Sequence, residues 1–206
     1  MPHFLSVMNL KVCNGDKTIE LTELDLDSRV GIFTGTFDPI HQTHIDIAKA
    51  TLRDSLGKLG NDYVLFYVHS FTLGKAPAPE SFRQEVINEF IRDQENMALI
   101  YLENASSDSL LKPRELIQYL ITTYSMSLTR IIGSDKVSEA SKHNGQMPHF
   151  VHNRDGSIQI PSNFISLNLP PGISSTQLRS GEIPFDRQYG KFSRGIGTHY
   201  PNSRMI

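Results

Sequence analysis

A glycine-bearing loop between a buried strand and an amphipathic helix constrains the fold of this chain more than any other feature. Residues 30–33, V-G-I-F, are an apolar run typical of a buried strand, and apolar residues recur at helical spacing over residues 45–56. Between them lies G-T-F-D-P-I-H-Q-T-H, residues 35–44, with His41 and His44 in the first helical turn. The N–H groups and positive dipole end of such a helix, with two imidazoles, favour a polyphosphate. A nucleotide is therefore the predicted ligand.

A second anion-binding segment is predicted near the other end of the chain. Residues 173–179, I-S-S-T-Q-L-R, follow a strand-like apolar run at residues 164–169 and a Pro-Pro-Gly turn. By one interpretation, its three consecutive hydroxyl residues are ordinary helix N-caps. Together with Arg179 one turn along, they also bring O–H, N–H and guanidinium donors to one place. A pyrophosphate leaving group requires that set of donors.

Strands alternate with helices along the chain, and this order predicts a doubly wound α/β fold with a mainly parallel sheet. The five predicted main strands lie at residues 30–33, 63–68, 98–103, 128–132 and 164–169. Right-handed crossovers would cover both faces of such a sheet with helices. Ligands bind at the carboxyl ends of the strands, so the loops that begin at Gly35, Gly133 and Ser174 are expected to converge there. Asp155-Gly156 indicates a hairpin-type turn within residues 150–160.

Composition favours one soluble domain and excludes several classes of protein. The chain has 206 residues, 38% of them hydrophobic, and a net charge of −2, so neither a nucleic-acid nor a membrane partner is indicated. A single cysteine, Cys13, excludes a disulfide framework and thiolate metal clusters. No secretory signal or apolar run of about 20 residues is evident. We expect a cytoplasmic protein, and its assembly into a homo-oligomer is left open.

Together the two segments resemble the signatures of the nucleotidylyltransferase superfamily, H-x-G-H and I-S-S-T-x-x-R. The branch they resemble most is the nicotinate/nicotinamide mononucleotide adenylyltransferases. Residues 35–44 match G-T-F-D-P-x-H-x-G-H at every fixed position except one, where Thr43 replaces glycine, and residues 173–179 match the second signature completely. The resemblance covers residues 30–184 and implies the Rossmann-like fold of that superfamily.

The division of the chain follows from the extent of the resemblance. Residues 30–187 are the predicted nucleotidylyltransferase domain. Residues 1–29 are a short N-terminal extension in which residues 18–22 and 24–26 alternate like edge strands. Residues 188–206 are rich in Gly, Ser, Arg and Tyr without periodicity, so we expect a loop or a loosely packed tail.

The resemblance implies transfer of the adenylyl group of ATP to nicotinate or nicotinamide mononucleotide, which yields a dinucleotide and pyrophosphate in NAD biosynthesis. ATP is then a substrate, and the Mg²⁺ that accompanies it is held by phosphates and water, without a protein cage. Two alternatives stay open. The acceptor could be another phosphorylated small molecule, or the chain could bind a nucleotide without catalysis.

The resemblance also implies roles for individual residues. His41, His44 and Arg179 correspond to the catalytic residues of the signatures. The residues that would contact ATP are Gly35, Thr36, Phe37, Gly133, Ser134, Asp135, Ser174, Ser175 and Thr176. Relatives place basic residues near the acceptor at positions that correspond to Lys75 and Arg83, although a solvated lysine and a surface arginine explain these two equally well.

Two departures from the family pattern concern the acceptor pocket. Bacterial relatives usually carry S-Y-T-x-D-T-L where residues 106–111 read S-S-D-S-L-L, and they commonly carry a tryptophan, which this chain lacks. The sequence therefore indicates the identity of the acceptor less clearly than it indicates ATP. His149 and His152 have no evident companion ligand in the sequence, so no metal site is predicted.

Overall fold

A mainly parallel sheet runs through the computed structural model, which describes residues 9–24, 27–69, 76–103, 111–142, 147–153, 156 and 158–206. In these residues the strands are β1 Leu10–Asn14, β2 Lys17–Ile19, β3 Arg29–Gly35, β4 Tyr63–Val68, β5 Met97–Leu102, β6 Ser127–Gly133, β7 His149–His152 and β8 Phe164–Leu167. Their order in the sheet is β2-β1-β5-β4-β3-β6-β7-β8. Strand β1 is antiparallel to β2 and β5, and the other neighbours run parallel.

Helices cover both faces of this sheet. They are α1 Gln42–Ala50, α2 Arg53–Leu56, α3 Glu80–Ile91, α4 Pro113–Tyr124, α5 Val137–Lys142, α6 Ser175–Arg179 and α7 Ser193–His199, with 3-10 turns at Leu21–Glu23, Gly57–Leu59, Ser134–Lys136 and Arg187–Phe192. Helices α1, α3, α6 and α7 contribute to the large core on one face, whereas α4 and α5 bury their apolar residues in two smaller clusters. Among the described helices, none is long and apolar enough to cross a bilayer.

Local sequence explains where α4 begins and ends. Pro113 occupies its first turn, where a missing N–H costs no helical hydrogen bond. The Lys112 N–H donates to Glu115 at 2.9 Å, which supplies a partner at the helix start. Ser125 ends the helix in the left-handed region with φ of 54°. The amphipathic face of α4 buries Leu116 and Leu120 against the sheet.

The order of the strands puts a topological switch point beside β3. From β3 the chain winds through α1 to β4 and through α3 to β5, and it then returns through α4 to β6 on the opposite side of β3. Strands β3 and β6 are paired in parallel, with Phe33 opposite Ile131. The loops that follow these two strands therefore border one crevice, which is where ligands bind in doubly wound sheets.

The doubly wound α/β fold with a mainly parallel sheet is confirmed, but the sheet has eight strands rather than five. The N-terminal extension contributes two of the additional strands, β1 and β2, which form an antiparallel hairpin beside β5. Its turn contains Gly15 with φ of 58°, a conformation that glycine adopts without strain. Of the two edge strands predicted there, β2 overlaps the first. The second, at residues 24–26, falls partly outside the described residues.

The third additional strand, β7, corrects the hairpin interpretation of residues 150–160. Strand β7 is parallel to both of its neighbours, β6 and β8, so it is a main strand of the sheet and not one arm of a hairpin. Asp155 itself lies outside the described residues. Two histidines flank the two apolar residues of β7, and all four of its residues are buried. A strand that is buried on both faces does not show the alternation that reveals a surface strand.

The C-terminal residues 188–206 are not a loose tail. The 3-10 turn Arg187–Phe192 and helix α7 lie against the large core, where Tyr189, Ile196 and Tyr200 are 1–4% exposed. Phe185 pairs with Met205, and its N–H donates to the Arg204 carbonyl at 2.6 Å. The prediction was wrong because three isolated apolar side chains without helical spacing give no local signal of burial. The division of the chain at residues 29 and 187 stays a prediction.

Candidate active site

The first motif segment lies at the carboxyl end of β3 and leads directly into α1. Gly35 ends the strand, and a Cβ atom there would lie 2.9 Å from the ring of Phe37. Phe37 has φ of 43°, is 4% exposed, and packs edge-on against Phe33 with 5.2 Å between ring centroids. The Phe37 side chain therefore belongs to the core. The predicted contact of Phe37 with ATP would then be made by its backbone atoms.

His41 and His44 lie against each other at the start of α1. His41 is the N-cap, is 3% exposed, and has its ring centroid 3.8 Å from that of His44. The His41 N–H donates to Nδ1 of His44 at 3.2 Å. A neutral imidazole that accepts at one ring nitrogen carries its proton on the other. Nε2 of His44 is thus left as a hydrogen-bond donor.

The second motif segment begins α6 with a reciprocal cap. The Gln177 N–H donates to Oγ of Ser174 at 3.3 Å, and the Ser174 N–H donates to Oε1 of Gln177 at 3.0 Å. This is the capping box typical of helix starts. The N-cap interpretation therefore holds for Ser174. The other donors of the segment have different partners.

Those partners belong to the first motif segment. Oγ of Ser175 donates to the Pro39 carbonyl at 2.8 Å, across 136 positions in the sequence. Nη1 of Arg179 donates to the carbonyl of Asp38 and lies 3.5 Å from its Oδ2, while Nη2 donates to Oγ1 of Thr176 at 3.2 Å. The structure thus joins the two segments at one edge of the sheet. A ligand at this junction would meet donors from both.

Thr43, which stands where the family signature has glycine, forms a second junction. Its Oγ1 donates to the Ile173 carbonyl at 3.2 Å. A Cβ atom on Gly172 would overlap the Thr43 side chain, with Cγ2 only 2.6 Å away. The glycine that permits close approach of the two segments therefore lies at position 172. Gly172, on the other side of this contact, therefore makes room for the threonine at position 43.

Asp38 is buried between the two segments and the C-terminal residues. Its Oδ1 accepts hydrogen bonds from the Ala78 N–H at 3.0 Å and from the Tyr200 hydroxyl at 2.7 Å. Burial, and then the hydrogen bond to Asp38, raise the pKa of Tyr200, so its hydroxyl stays protonated. A second tyrosine, Tyr189, donates its hydroxyl to the Ile40 carbonyl. Neither tyrosine carries a local sequence signal, and sequence reasoning missed both.

Arg83 is buried rather than exposed, so its interpretation as a surface arginine is wrong. The residue is 1% exposed, and burial lowers the pKa of its guanidinium. Nε donates to the Ala78 carbonyl at 2.8 Å, and Nη1 donates to the carbonyls of Thr36 and, at 3.3 Å, His69. Arg83 therefore ties the loops after β3 and β4 to the start of α3. The other acceptor candidate, Lys75, lies outside the described residues.

The third predicted loop, Gly133-Ser134-Asp135, follows β6 at the same edge. A Cβ atom on Gly133 would lie 2.6 Å from Oδ1 of Asp135, so the carboxylate folds back over the turn. Ser134 is buried, whereas Asp135 is exposed. Because β6 is the direct neighbour of β3, this loop borders the crevice opposite the histidine pair. The convergence expected of the three loops is thus present.

His152, to which the sequence analysis gave no role, lies at this site. It ends β7 opposite Gly133, is 2% exposed, and lines a cavity of about 60 Å³ with His41 and His44 between α1 and residues 171–174. The sequence did not indicate that His152 reaches this edge of the sheet, because β7 was not recognised as a strand. In the described part of the chain, no group of three or more His, Cys, Asp or Glu side chains is arranged to hold a metal ion.

Solved structures of one enzyme share this fold. They are nicotinic acid mononucleotide adenylyltransferase of Plasmodium falciparum in complexes with NaAD and with APC, with TM-scores of 0.57 and 0.56. The sequence identities are 16% and 15%, over 75% of this chain and 83% of that chain. At such identity the likeness establishes the fold and not the reaction. Among curated proteins, none matches the chain in sequence.

A family model supplies the evidence at the level of sequence. The model described as cytidylyltransferase-like matches residues 32–181. That range begins in β3 and ends just after α6, so it contains both motif segments and the loop after β6. Three observations indicate the same family: the matched range, the Rossmann-like fold and the junction of the two segments. The chain therefore belongs to the cytidylyltransferase-like family and has the nucleotidylyltransferase fold.

Proposed function

We propose that the chain transfers the adenylyl group of ATP to the phosphate of nicotinate or nicotinamide mononucleotide, in NAD biosynthesis. The observation that supports this most is the junction of Ser175 with Pro39 and of Arg179 with Asp38. It gathers an imidazole pair, a helix N-terminus and a guanidinium at the switch point of the sheet. The choice of acceptor is supported by the P. falciparum enzyme of similar fold, which is a nicotinic acid mononucleotide adenylyltransferase.

In the proposed reaction a phosphate oxygen of the mononucleotide attacks the α-phosphorus of ATP. A P–O bond forms there, the bond from the α-phosphorus to the bridging oxygen breaks, and the electron pair leaves with pyrophosphate. A phosphate monoester is anionic near neutral pH, so the attack requires no general base. The contribution of the protein is then positioning and the stabilisation of charge on the transferred group.

The histidine pair would act at the α-phosphate. Nε2 of His44 is left as a donor by the hydrogen bond that Nδ1 accepts from the His41 backbone. The ring of His44 also lies edge-on to Phe37, with 5.1 Å between centroids, so its direction is set before ATP binds. A donor that is oriented in advance stabilises developing charge without reorganising during the reaction.

The second segment would hold the leaving group. Ser174, Ser175, Thr176 and Arg179 are proposed to contact the β- and γ-phosphates and then pyrophosphate. The guanidinium is held on one side by Asp38 and Thr176, which restricts its remaining N–H donors to a narrow range of directions. Mg²⁺ enters the proposal as the ion carried by ATP, with phosphate oxygens and water as its ligands, and Asp135 borders the same crevice.

Arg83 and Lys75 stay in the proposal as residues near the acceptor, but in different ways. Arg83 donates to three backbone carbonyls and would shape the acceptor side by holding the loops after β3 and β4 together. Lys75 would supply direct charge.

A pyrophosphate-release assay with ATP·Mg²⁺ and a panel of acceptors tests the proposal. The panel contains nicotinate mononucleotide, nicotinamide mononucleotide, phosphopantetheine and sugar phosphates, and chromatography identifies the product. We expect turnover with at least one of the two pyridine mononucleotides and formation of the corresponding dinucleotide.

The other outcomes of the panel identify the alternatives. Turnover with another phosphate but with neither pyridine mononucleotide would refute the proposed acceptor and keep the adenylyl transfer. Calorimetric binding of ATP without turnover on any acceptor would favour a non-catalytic nucleotide-binding protein.

A further inference from the structure

Three residues of the loop before His41 are each anchored by the C-terminal part of the chain. The loop is residues 38–40. The Tyr200 hydroxyl donates to Oδ1 of Asp38 at 2.7 Å, the Tyr189 hydroxyl donates to the Ile40 carbonyl, and Ser175 donates to the Pro39 carbonyl. The two tyrosines lie 162 and 149 positions from their partners. All three donors therefore lie far along the chain from the loop, and none of them belongs to α1, the helix that follows it.

The two hydroxyls are presented by rings that are themselves held rigidly. Phe185, which is fully buried, stacks on Tyr200 at an interplanar angle of 15° and meets Tyr189 edge-on at 87°. Phe90 of α3 packs against Tyr189 from another side, with 4.8 Å between centroids. Aromatic rings packed in this way have little freedom to turn. The positions of both hydroxyl oxygens are therefore set by the core.

The anchored loop is directly connected to the proposed phosphate-binding residues. Ile40 is followed in the chain by His41, the N-cap of α1, so the bond from Tyr189 sets where that helix begins. Asp38 accepts from Tyr200 on Oδ1 and has Arg179 at 3.5 Å on Oδ2. A shift of the Asp38 carboxylate would therefore be transmitted to the guanidinium. Tyr189 is thus one hydrogen bond and one peptide bond away from His41, and Tyr200 is one hydrogen bond and one ion pair away from Arg179.

We propose that Tyr189 and Tyr200 are positioning residues for adenylyl transfer, and that the C-terminal residues 185–200 serve as the platform that aligns the loop. This inference rests on the proposed function. The hydroxyls do not touch the reacting atoms. They set the separation between the histidine pair and Arg179, which must match the distance between the α-phosphate and the leaving group.

The test compares Tyr189→Phe and Tyr200→Phe with Thr129→Val. The control variant also loses a buried hydroxyl, because Oγ1 of Thr129 donates to Asn61 at 2.8 Å, but this pair lies away from the carboxyl edge of the sheet. We expect each tyrosine variant to lower kcat about tenfold to a hundredfold, since misplacement by about 1 Å costs that order of rate. The control should keep its kcat, although all three variants should lose thermal stability to a similar degree.

A kcat in both tyrosine variants that equals that of Thr129→Val would overturn the inference and leave the two tyrosines a merely structural role. If one of the two tyrosine variants does not fold, the other decides the question. A readout without catalysis separates this inference from the proposed function. The imidazole NMR signals of His41 and His44 should shift in both tyrosine variants and stay in place in Thr129→Val, even if the wild-type chain shows no turnover with any acceptor. Unchanged signals would count against the inference.

Discussion

At the scale of single residues, several polar groups of the site are held by protein partners before any ligand binds. Arg179 is bound to Asp38 and Thr176, Asp38 accepts from Ala78 and Tyr200, and Nδ1 of His44 accepts from the backbone. Each bond restricts a side chain that would otherwise lose conformational entropy when the substrate binds. The site is therefore organised before any ligand binds, as the proposed binding of ATP phosphates requires.

His44→Ala is expected to lower kcat about 10²–10³-fold and to change the KM for ATP far less, because a donor aimed at developing charge acts mainly in the transition state. Steady-state kinetics measure both constants. His149→Ala is the matched control, since His149 is also a buried imidazole but begins β7 and packs against Phe164. A near-normal kcat in His44→Ala would refute the proposed catalytic role of His44.

Arg179→Lys is expected to reduce both kcat and ATP affinity, and Arg179→Ala to reduce them further. A lysine ammonium keeps the charge but loses the planar fork, so it cannot hold Asp38 and Thr176 while it also contacts two phosphate oxygens. Kinetics and ATP calorimetry on both variants check this order. Wild-type values in both would mean that the pyrophosphate site lies elsewhere.

At the scale of elements, α1 and the residues that precede α6 interlock because the side chain of a threonine fills the space beside a glycine. Thr43 fills the space beside Gly172 and donates to the Ile173 carbonyl. The contact sets how closely the histidine pair and the second segment approach each other. Its two members should therefore respond to substitution as a coupled pair.

Gly172→Ala should reduce the free energy of unfolding by about 1–3 kcal/mol, because the added methyl overlaps Thr43. Thr43→Gly makes room for it, so the double variant should be more stable than the sum of the single changes, with a coupling of at least about 0.5 kcal/mol. Urea unfolding of the four proteins measures this coupling. Gly197→Ala is the control, since its Cβ would meet nothing within 4 Å. Additive changes would contradict the interlock.

At the scale of the whole molecule, the sheet connects the site to the global stability of the chain. Strands β3 and β6, which carry two of the three loops, lie in the interior of the sheet, and the large core contains residues from α1, α3, α6 and α7. The loop after β4 contains a titratable group, His69, whose carbonyl is held by Arg83. The protonation of this group should therefore be visible in global unfolding.

The stability of the folded chain is expected to fall as pH decreases from about 6.5 to about 4. Burial, and then the charge of Arg83, lower the pKa of His69 from 6.5 to about 4 in the folded state. In that window the unfolded chain binds a proton that the folded chain does not, which is worth up to about 3 kcal/mol. His69→Gln should remove this part of the pH dependence in urea unfolding. Parallel pH profiles for the variant and the wild type would refute the assignment.

The sequence determined the features that depend on neighbouring residues. An apolar run, a glycine loop and helical spacing predict a strand, a turn and a helix from local backbone chemistry alone, so the two motif segments and the doubly wound fold could be predicted. Their meeting at one edge also followed, because parallel strands end on the same side of a sheet.

The tertiary structure alone decided which distant side chains complete the site. Tyr189, Tyr200 and His152 carry no local pattern, and the burial of Arg83 had none either. These side chains lie at the site because of groups that are far away in the sequence. Strand β1 was missed and β7 was misread for the same reason, since a strand's place in a sheet is set by its neighbours. Local chemistry specifies the elements, and long-range packing specifies what they hold in place.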